Sequence, residues 1–261
     1  MKYLFSYWKR VERVLKNCPH ILLLSDYDGT LSRIVPDPKK AILDKPTRHV
    51  LKLLSNKRKR LSVSIVSGRR LSDVKRLIGL DNIYYAGNHG LEIKGPGLKY
   101  LHPSLAKFRT YIYRIAKELS SGTGRMKGAI VEYKKESLSL HYRRVKKEDL
   151  KRLKKIFDAS TAPYLRKRKI KVFSGKKVYE VRPPIKWNKG DAAGMILKSL
   201  KKKHPFPVYI GDDTTDEDAF GYLKKRRSIT VFVGKKRKSK AKYYLRSPVE
   251  VGKFLVRLCR I

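Results

Sequence analysis

Asp26 and Asp28, separated only by Tyr27, follow the apolar run Ile21 to Leu24, which reads as a buried strand running into a turn. If that strand continued unbroken, its alternation would put both acids on one side and Tyr27 on the other. Side by side they repel, so the arrangement calls for a divalent cation or a proton between them. Gly29 lets the backbone turn and Thr30 adds a hydroxyl. A lone pair of acids so placed serves equally well as a polar strand end that caps the next element. Two more strand ends carry polar clusters: Ser67-Gly68-Arg69 after Leu61 to Val66, and Gly211-Asp212-Asp213 after Val208 to Ile210. Several acids together suit Mg²⁺, which takes oxygen ligands and binds through one or two carboxylates, waters and a substrate phosphate. Ser67 and the Gly68 amide stand at a strand-to-helix junction, where free N–H groups favour phosphate. Lys189, just before Gly190 at a helix start, could supply positive charge to a phosphoryl group. Asp216, Glu217 and Asp218 also read as acids at a helix N-terminus. We expect Asp212 at the metal and the later acids capping or holding neighbours.

These residues need a scaffold that brings three strand ends together. Leu4, Trp8, Val11 and Leu15 predict an amphipathic helix over residues 1–16, packed on the body or, as a lesser alternative, lying on a membrane surface. After the Asp26 strand come a loop marked by Pro36, Pro38 and Pro46, a helix over 47–57, a strand over 61–66, a helix through Leu71, Val74, Leu77 and Ile78, and a strand over 83–86. Strands alternating with helices across short links argue for a parallel sheet, whose ligands sit at the carboxyl ends of the strands. Past Gly87-Asn88-His89-Gly90 the rhythm changes. A helix over 103–119, a loop holding Gly122 and Gly124, strands near 128–133 and 137–142, a helix over 148–159, and strands near 169–173 and 177–182 form an αββαββ block. Such a block can build its own sheet with one helical face. From Pro183-Pro184 the chain returns, with a helix from Trp187 to about Leu200, a strand at 208–210, a helix over 216–224, a strand at 229–233 and a last helix over 248–259. The reading is an α/β core of residues 1–101 and 184–261 with an α+β insertion of residues 102–183.

The chain has 261 residues and 41% hydrophobic content, enough for a sizeable core. Sixty-five Lys and Arg against 22 Asp and Glu give a formal charge of +43. Such a surface attracts polyanions non-specifically and in a salt-dependent way. The charge is dispersed over Lys57 to Arg60, Arg166 to Lys169, Lys201 to Lys203 and Lys235 to Lys238, and no aromatic-interleaved motif accompanies it, so no dedicated nucleic-acid or membrane partner is expected. Cys18 and Cys259 are the two cysteines, without CxxC or metal-ligand spacing, which fits a reducing interior. The run Ile21 to Leu24 is too short for a signal-peptide core or a membrane span, and a cytoplasmic protein is expected.

Asp26-Tyr27-Asp28-Gly29-Thr30, Ser67-Gly68-Arg69, Lys189-Gly190 and Gly211-Asp212-Asp213 together resemble the four ordered motifs of the haloacid dehalogenase superfamily of phosphohydrolases. The long gap between Ser67 and Lys189 resembles the superfamily members that carry a C2-type cap. More narrowly, the chain is similar to trehalose-6-phosphate phosphatases in Gly87-Asn88-His89-Gly90-Leu91-Glu92, Val131-Glu132-Tyr133-Lys134, His141-Tyr142-Arg143, Tyr179-Glu180-Val181-Arg182-Pro183, Trp187-Asn188-Lys189-Gly190 and Gly211 to Glu217. The resemblance covers residues 20 to about 233. It implies a haloacid dehalogenase-like Rossmannoid core with an inserted cap, and hydrolysis of a sugar phosphate through an aspartyl-phosphate. On that resemblance Asp26 is the nucleophile and Asp28 the acid and base. Mg²⁺ is held by Asp26, the Asp28 backbone carbonyl and Asp212; Ser67 and Lys189 meet the phosphoryl group, Gly68 and Arg69 bind the substrate beside them, and Asp213 and Asp216 orient waters or Lys189. Glu132, Lys134 and Glu180 of the cap would read sugar hydroxyls, with His89 and Glu92 at the entrance from the core side. Glu132 and Glu180 are rare acids in a basic chain on predicted strands, whereas Lys134 and Arg182 fit ordinary strand-face positions as well. Phosphatases of sucrose-phosphate or mannosyl-phosphoglycerate are the nearest alternatives, and a nucleic-acid-binding protein on the same fold is the alternative from another class.

Overall fold

The computed structural model describes residues 1–35, 40–175, 177–202, 204–235 and 237–261. Pro36, Pro38, Lys203 and Lys236 lie outside the described residues. The chain divides into two compact units, residues 1–100 with 187–261, and residues 101–186. In chain order the elements are β1 (Lys2–Tyr3), α1 (Trp8–Lys16), β2 (Ile21–Ser25), α2 (Lys45–Asn56), β3 (Leu61–Val66), α3 (Leu71–Ile78), β4 (Tyr84–Gly87), β5 (Glu92–Gly95) and β6 (Leu98–Leu101). There follow α4 (Ala106–Thr123), β7 (Ile130–Tyr133), β8 (Leu138–His141), α5 (Leu150–Arg166), β9 (Lys171–Gly175) and β10 (Val178–Arg182). The first unit resumes with α6 (Lys189–Ser199), β11 (Phe206–Gly211), α7 (Asp216–Lys224), β12 (Ile229–Val233), β13 (Tyr243–Leu245) and α8 (Pro248–Cys259).

The sheet of the first unit runs β1-β13-β12-β11-β2-β3-β4-β5-β6. It is parallel from β1 through β4, and β5 pairs antiparallel with β4. Every residue of β2 is buried, because helices cover both faces, and a strand so enclosed reads as a continuous apolar run. Alternate residues serve the two faces. Ile21, Leu23, Val63, Ile65, Val208 and Ile210 pack with Val11 and Leu15 of α1, Leu51 and Leu54 of α2, Val74 and Ile78 of α3, and Phe254 of α8. Leu22, Leu24, Val66 and Tyr209 pack on the other side with Ala192, Ala193 and Ile196 of α6 and Ala219, Phe220 and Leu223 of α7. Burying each Leu or Ile is worth about 1.5–3 kcal/mol, so this two-sided set holds β2 in the interior of the sheet. Its neighbours are β11 and β3, with Ser25 level with Ile210 and Ile65. Three consecutive carboxyl-side ends, at residues 26, 67 and 212, therefore lie on one edge.

Three features depart from the sequence reading. The helix expected from residue 1 starts at Trp8, because Lys2–Tyr3 instead pairs with β13, and the amides of Lys2 and Leu4 donate to the carbonyls of Lys242 and Tyr244. The strand β13 itself, and the pair β5 and β6, had not been anticipated. Gly122, expected in a loop, lies inside α4, which ends at Thr123. The second unit carries an antiparallel sheet ordered β7-β8-β10-β9. Its core joins Leu138 and Leu140 of β8 and Val181 of β10 to Ile112, Ile115 and Leu119 of α4 and Leu153 and Phe157 of α5. No helix among the described residues is long and apolar enough to cross a membrane.

His20, just ahead of β2, is buried, with Nδ1 against the Lys59 carbonyl and Nε2 against the Ser62 hydroxyl. Burial, above all, pulls its protonation below the ordinary imidazole range; the Lys59 carbonyl opposes this and Lys202 adds to it. The unfolded chain then takes the proton first, so the stability His20 contributes is present above about pH 6.5 and is lost as pH falls. The melting temperature of the wild type should therefore drop more between pH 7.5 and 5.5 than that of His20→Gln; parallel decline in the two proteins would refute the assignment.

Candidate active site

The centre of the first unit is a buried ammonium. Asn188 caps α6, accepting from the Gly190 and Asp191 amides at 2.8 and 3.2 Å while Asp191 accepts from the Asn188 amide at 2.9 Å. This reciprocal cap holds Lys189 at the first helical position. Its Nζ donates to Asp26 Oδ1 and Asp216 Oδ1, both at 2.7 Å, and the three side chains are almost wholly buried. Asp216 is saturated. Its Oδ1 also accepts from the Tyr209 hydroxyl at 2.9 Å, and its Oδ2 accepts from the amides of Asp212 and Asp213 at 3.1 and 3.0 Å. Burial acts against the Lys189 charge, but Asp216 and Asp26 outweigh it and hold the ammonium above the ordinary lysine range. Burial pushes the Asp26 carboxyl well up; Lys189 pulls it down, and Asp216 and Asp212 push it up again. Tyr209, buried beside the same acids, is likewise raised and stays a neutral hydrogen-bond donor.

Asp26, Asp212 and Asp216 bring ligand oxygens within 4.8 Å of one another. Lys189 offsets one of these three charges, and Asp216 is spent on Lys189, Tyr209 and two amides. Asp26 and Asp212 are thus the carboxylates suited to a divalent cation, and burial of like charges supplies the driving force to bind one. The space is built for this: Gly29 has a φ of +84°, and a Cβ there would stand 2.3 Å from Asp212 Oδ2. Gly29 therefore permits both the turn and the approach of Asp212.

Asp26 keeps its amide on the Ile210 carbonyl at 2.9 Å, but the regular strand ends at Ser25. The Tyr27 carbonyl accepts from the amides of Thr30, Leu31 and Ser32, which folds residues 27–32 into a compact turn. The unbroken strand considered for the two acids is therefore not present, and Asp28 sits in this turn. Both its oxygens are taken by Arg69, with Nε on Oδ2 and a terminal nitrogen on Oδ1, each at 2.6 Å. The Arg69 guanidinium also lies 5.3 Å from the centre of the Tyr27 ring. Arg69, expected from its motif to bind substrate, is here a bidentate partner of Asp28. Ser67 is buried at the end of β3, its hydroxyl accepting from the Arg69 amide at 3.1 Å. Gly68 faces the His89 ring, which a Cβ at residue 68 would meet at 2.6 Å. His89 has a φ of +59°, a strained backbone at the end of β4, and Glu92 pairs with Gly87 at the start of β5. Asp213 is separated from the buried group: its side chain accepts from the Thr214 amide at 2.6 Å, and only its backbone reaches Asp216.

Glu132, Lys134 and Glu180 lie together in the second unit. Glu132 and Glu180 both pair with Ser139, and so share the sheet face opposite the helices. Lys134 is buried, with Nζ 3.8 Å from Glu132 and 3.9 Å from Glu180. Arg182 donates to Glu180 through Nε at 2.9 Å and through a second nitrogen, and His141 Nε2 lies 2.8 Å from Glu132 Oε2. A family model described as trehalose-phosphatase matches residues 24–249. The chain belongs to the trehalose-phosphatase family.

Trehalose-phosphate phosphatase B of Arabidopsis thaliana is 38% identical over 252 residues, covering 91% of this chain and 66% of that protein. Trehalose 6-phosphate phosphatase RA3 of Zea mays is 34% identical over 256 residues, covering 91% of this chain and 69% of that protein. The chain thus spans about two thirds of the length of the curated relatives it matches. Among solved structures, the C-terminal domain of C. albicans trehalose-6-phosphate phosphatase superposes with a TM-score of 0.82 at 26% identity, covering 97% of this chain and 96% of that one. A haloacid dehalogenase-like hydrolase from Bacteroides thetaiotaomicron shares the fold, with a TM-score of 0.62 at 15% identity. The chain therefore has the α/β, haloacid dehalogenase-like fold expected from its motifs. Tyr209 and His141 belong to the two polar networks but had not been singled out. Tyr209 sits inside an apolar strand run and gives no signal of its own, whereas His141 lies in a motif already matched to the family.

Removing the Lys189 charge leaves two buried carboxylates without their cation. Lys189→Met should cost about 3–5 kcal/mol in urea unfolding of the metal-free protein. A loss below about 1 kcal/mol would show that this pair does not organise the centre.

Proposed function

We propose that this family member is a Mg²⁺-dependent phosphatase that hydrolyses trehalose 6-phosphate to trehalose and phosphate through an aspartyl-phosphate on Asp26. The observation that carries the reading is the Lys189 ammonium, 2.7 Å from a buried Asp26 carboxylate at a strand end, beside the Ser67-Gly68 junction and Asp212. The substrate is taken from the family and from the relatives named above.

Asp26, with Oδ1 fixed by Lys189, offers its other oxygen to phosphorus, forming one P–O bond as the bond to the sugar oxygen breaks. Asp28, protonated once Arg69 lets go, gives the departing sugar oxygen its proton and later takes one from the water that attacks phosphorus, as the bond to Asp26 breaks and phosphate leaves. Because Arg69 engages both Asp28 oxygens, Asp28 works only after that pair opens, which releases two Arg69 donors. Lys189, Ser67 and the Gly68 amide hold the transferring phosphoryl oxygens. Asp216 and Tyr209 keep Lys189 charged and aimed at Asp26 throughout. Asp26, the Asp28 backbone carbonyl and Asp212 would hold Mg²⁺, which when bound offsets the negative charge shared by nucleophile and phosphate. By the family resemblance the second unit is the cap, whose Glu132, Lys134 and Glu180 are assigned to sugar hydroxyls; His89 and Glu92 of the first unit are assigned to substrate as well, and Asp213 shapes the turn that aligns Asp216. The reaction is assigned to the cytoplasm, in keeping with the free thiols of Cys18 and Cys259.

Phosphate release should be measured on trehalose 6-phosphate, sucrose 6-phosphate and glucose 6-phosphate with and without Mg²⁺. The wild type should prefer trehalose 6-phosphate and stop on chelation, and a flat profile across the panel would sink the substrate assignment. Asp26→Asn should lose at least about a thousandfold in kcat, as removal of a nucleophile does. Asp28→Asn should lose about 10²–10⁴-fold, the usual contribution of general acid–base catalysis. Brisk turnover by Asp26→Asn would exclude it as nucleophile.

A further inference from the structure

A carboxylate that reads a hydroxyl must be held still, because each freely turning bond lost on binding subtracts from affinity. Glu132 is on β7, and in register the end of β8 lies beside it: Ile130 is level with His141, and Glu132 with Ser139. His141 is therefore the diagonal neighbour of Glu132 on the same sheet face, a separation that a ring and a long acid can span. Ser139, level with both Glu132 and Glu180, is small enough to leave that diagonal open. His141 Nε2 meets Glu132 Oε2 at 2.8 Å, and each side chain is only about a quarter exposed. A carboxylate only accepts, so Nε2 carries the proton. Lys134 Nζ approaches the same Oε2 at 3.8 Å and is itself shared with Glu180. The two cationic or donating groups thus converge on one oxygen of Glu132 and fix the plane of the other.

We propose that His141 is a positioning residue for sugar recognition, orienting Glu132 through the Nε2–H···Oε2 hydrogen bond. This rests on the reading of Glu132 as a group that binds a hydroxyl of the substrate. Backbone pairing already joins β7 to β8, so the hydrogen bond is not needed to hold the hairpin together. Its loss should act on recognition, through Glu132 alone.

The test is a double-mutant cycle on the full chain, with KM and kcat for trehalose 6-phosphate and melting temperature measured for each protein. His141→Ala should raise KM about tenfold, the effect of losing one hydrogen bond to a charged group, with a smaller change in kcat. His141→Gln, which keeps an N–H donor, should recover most of that loss. On a Glu132→Gln background, His141→Ala should add less than about twofold, since the group it orients is already altered. If Glu132→Gln raises KM while His141→Ala leaves it unchanged, or if the two effects simply multiply, the positioning role is overturned and the reading of Glu132 stands. If Glu132→Gln itself has no effect on KM, that reading falls and the proposal falls with it.

Discussion

A single ammonium, shut away from water between two carboxylates, organises the first unit. Lys189 bonds Asp26 and Asp216 at 2.7 Å, and such a group is tolerable only when every partner is in place. Asp216 must be anchored, which Tyr209 and the amides of the Gly211–Asp213 corner achieve. Lys189 must start a helix at a fixed point, which the Asn188–Asp191 cap ensures. Asp26 must end a strand beside β11, which the parallel pairing of β2 with β11 and the apolar contacts on both faces of β2 hold in place. Residues 163 and 27 positions from Lys189 in sequence are thus drawn to it by strand order, capping and hydrophobic register acting together.

The charge distribution of the molecule has two scales. Over the chain as a whole, 65 basic residues against 22 acids create a field that favours anions from any direction. Inside, the few acids are concentrated: three meet within 4.8 Å around one lysine, and two more flank Lys134 in the second unit. The outer excess raises the local concentration of a phosphorylated molecule without selecting among them. On the function proposed, selection falls to the inner arrangement, where polar groups held at fixed distances cannot re-pair for the wrong ligand.

Much of this was legible in the sequence where a hydrophobic period met a motif. β2, β3 and β11 show as apolar runs, and each ends in a polar cluster, so the convergence of residues 26, 67 and 212 followed from parallel strand topology. The partner of Arg69 was not legible, because a guanidinium beside a phosphate-binding turn and one clamped on a nearby acid have the same sequence. The turn at Tyr27, which takes Asp28 off the strand, depends on three amides competing for one carbonyl, a tertiary outcome. β13 and β1 are short and are recruited by pairing, β13 on β12 and β1 on β13, rather than by pattern. β5 and β6, by contrast, do carry a signal: Ile93-Lys94-Gly95 and Leu98-Lys99-Tyr100 flank Pro96-Gly97, a hairpin-like punctuation hidden by the irregular Asn88-His89-Gly90 segment just before it.

The strand order also dictates when the centre can exist during synthesis. β2 is made early, but its neighbour β11 is encoded about 180 residues later, after the whole second unit. Closing a loop that long carries an entropic cost that grows with its length, and a folded second unit between the ends shortens the effective loop. Until the stretch through Asp216 has left the ribosome, Asp26 has neither its lysine's counter-acid nor the strand that sets its height. A nascent chain arrested before that point would expose one flank of β2, an all-apolar strand with unpaired backbone groups, and would need chaperone protection there rather than at the later helices.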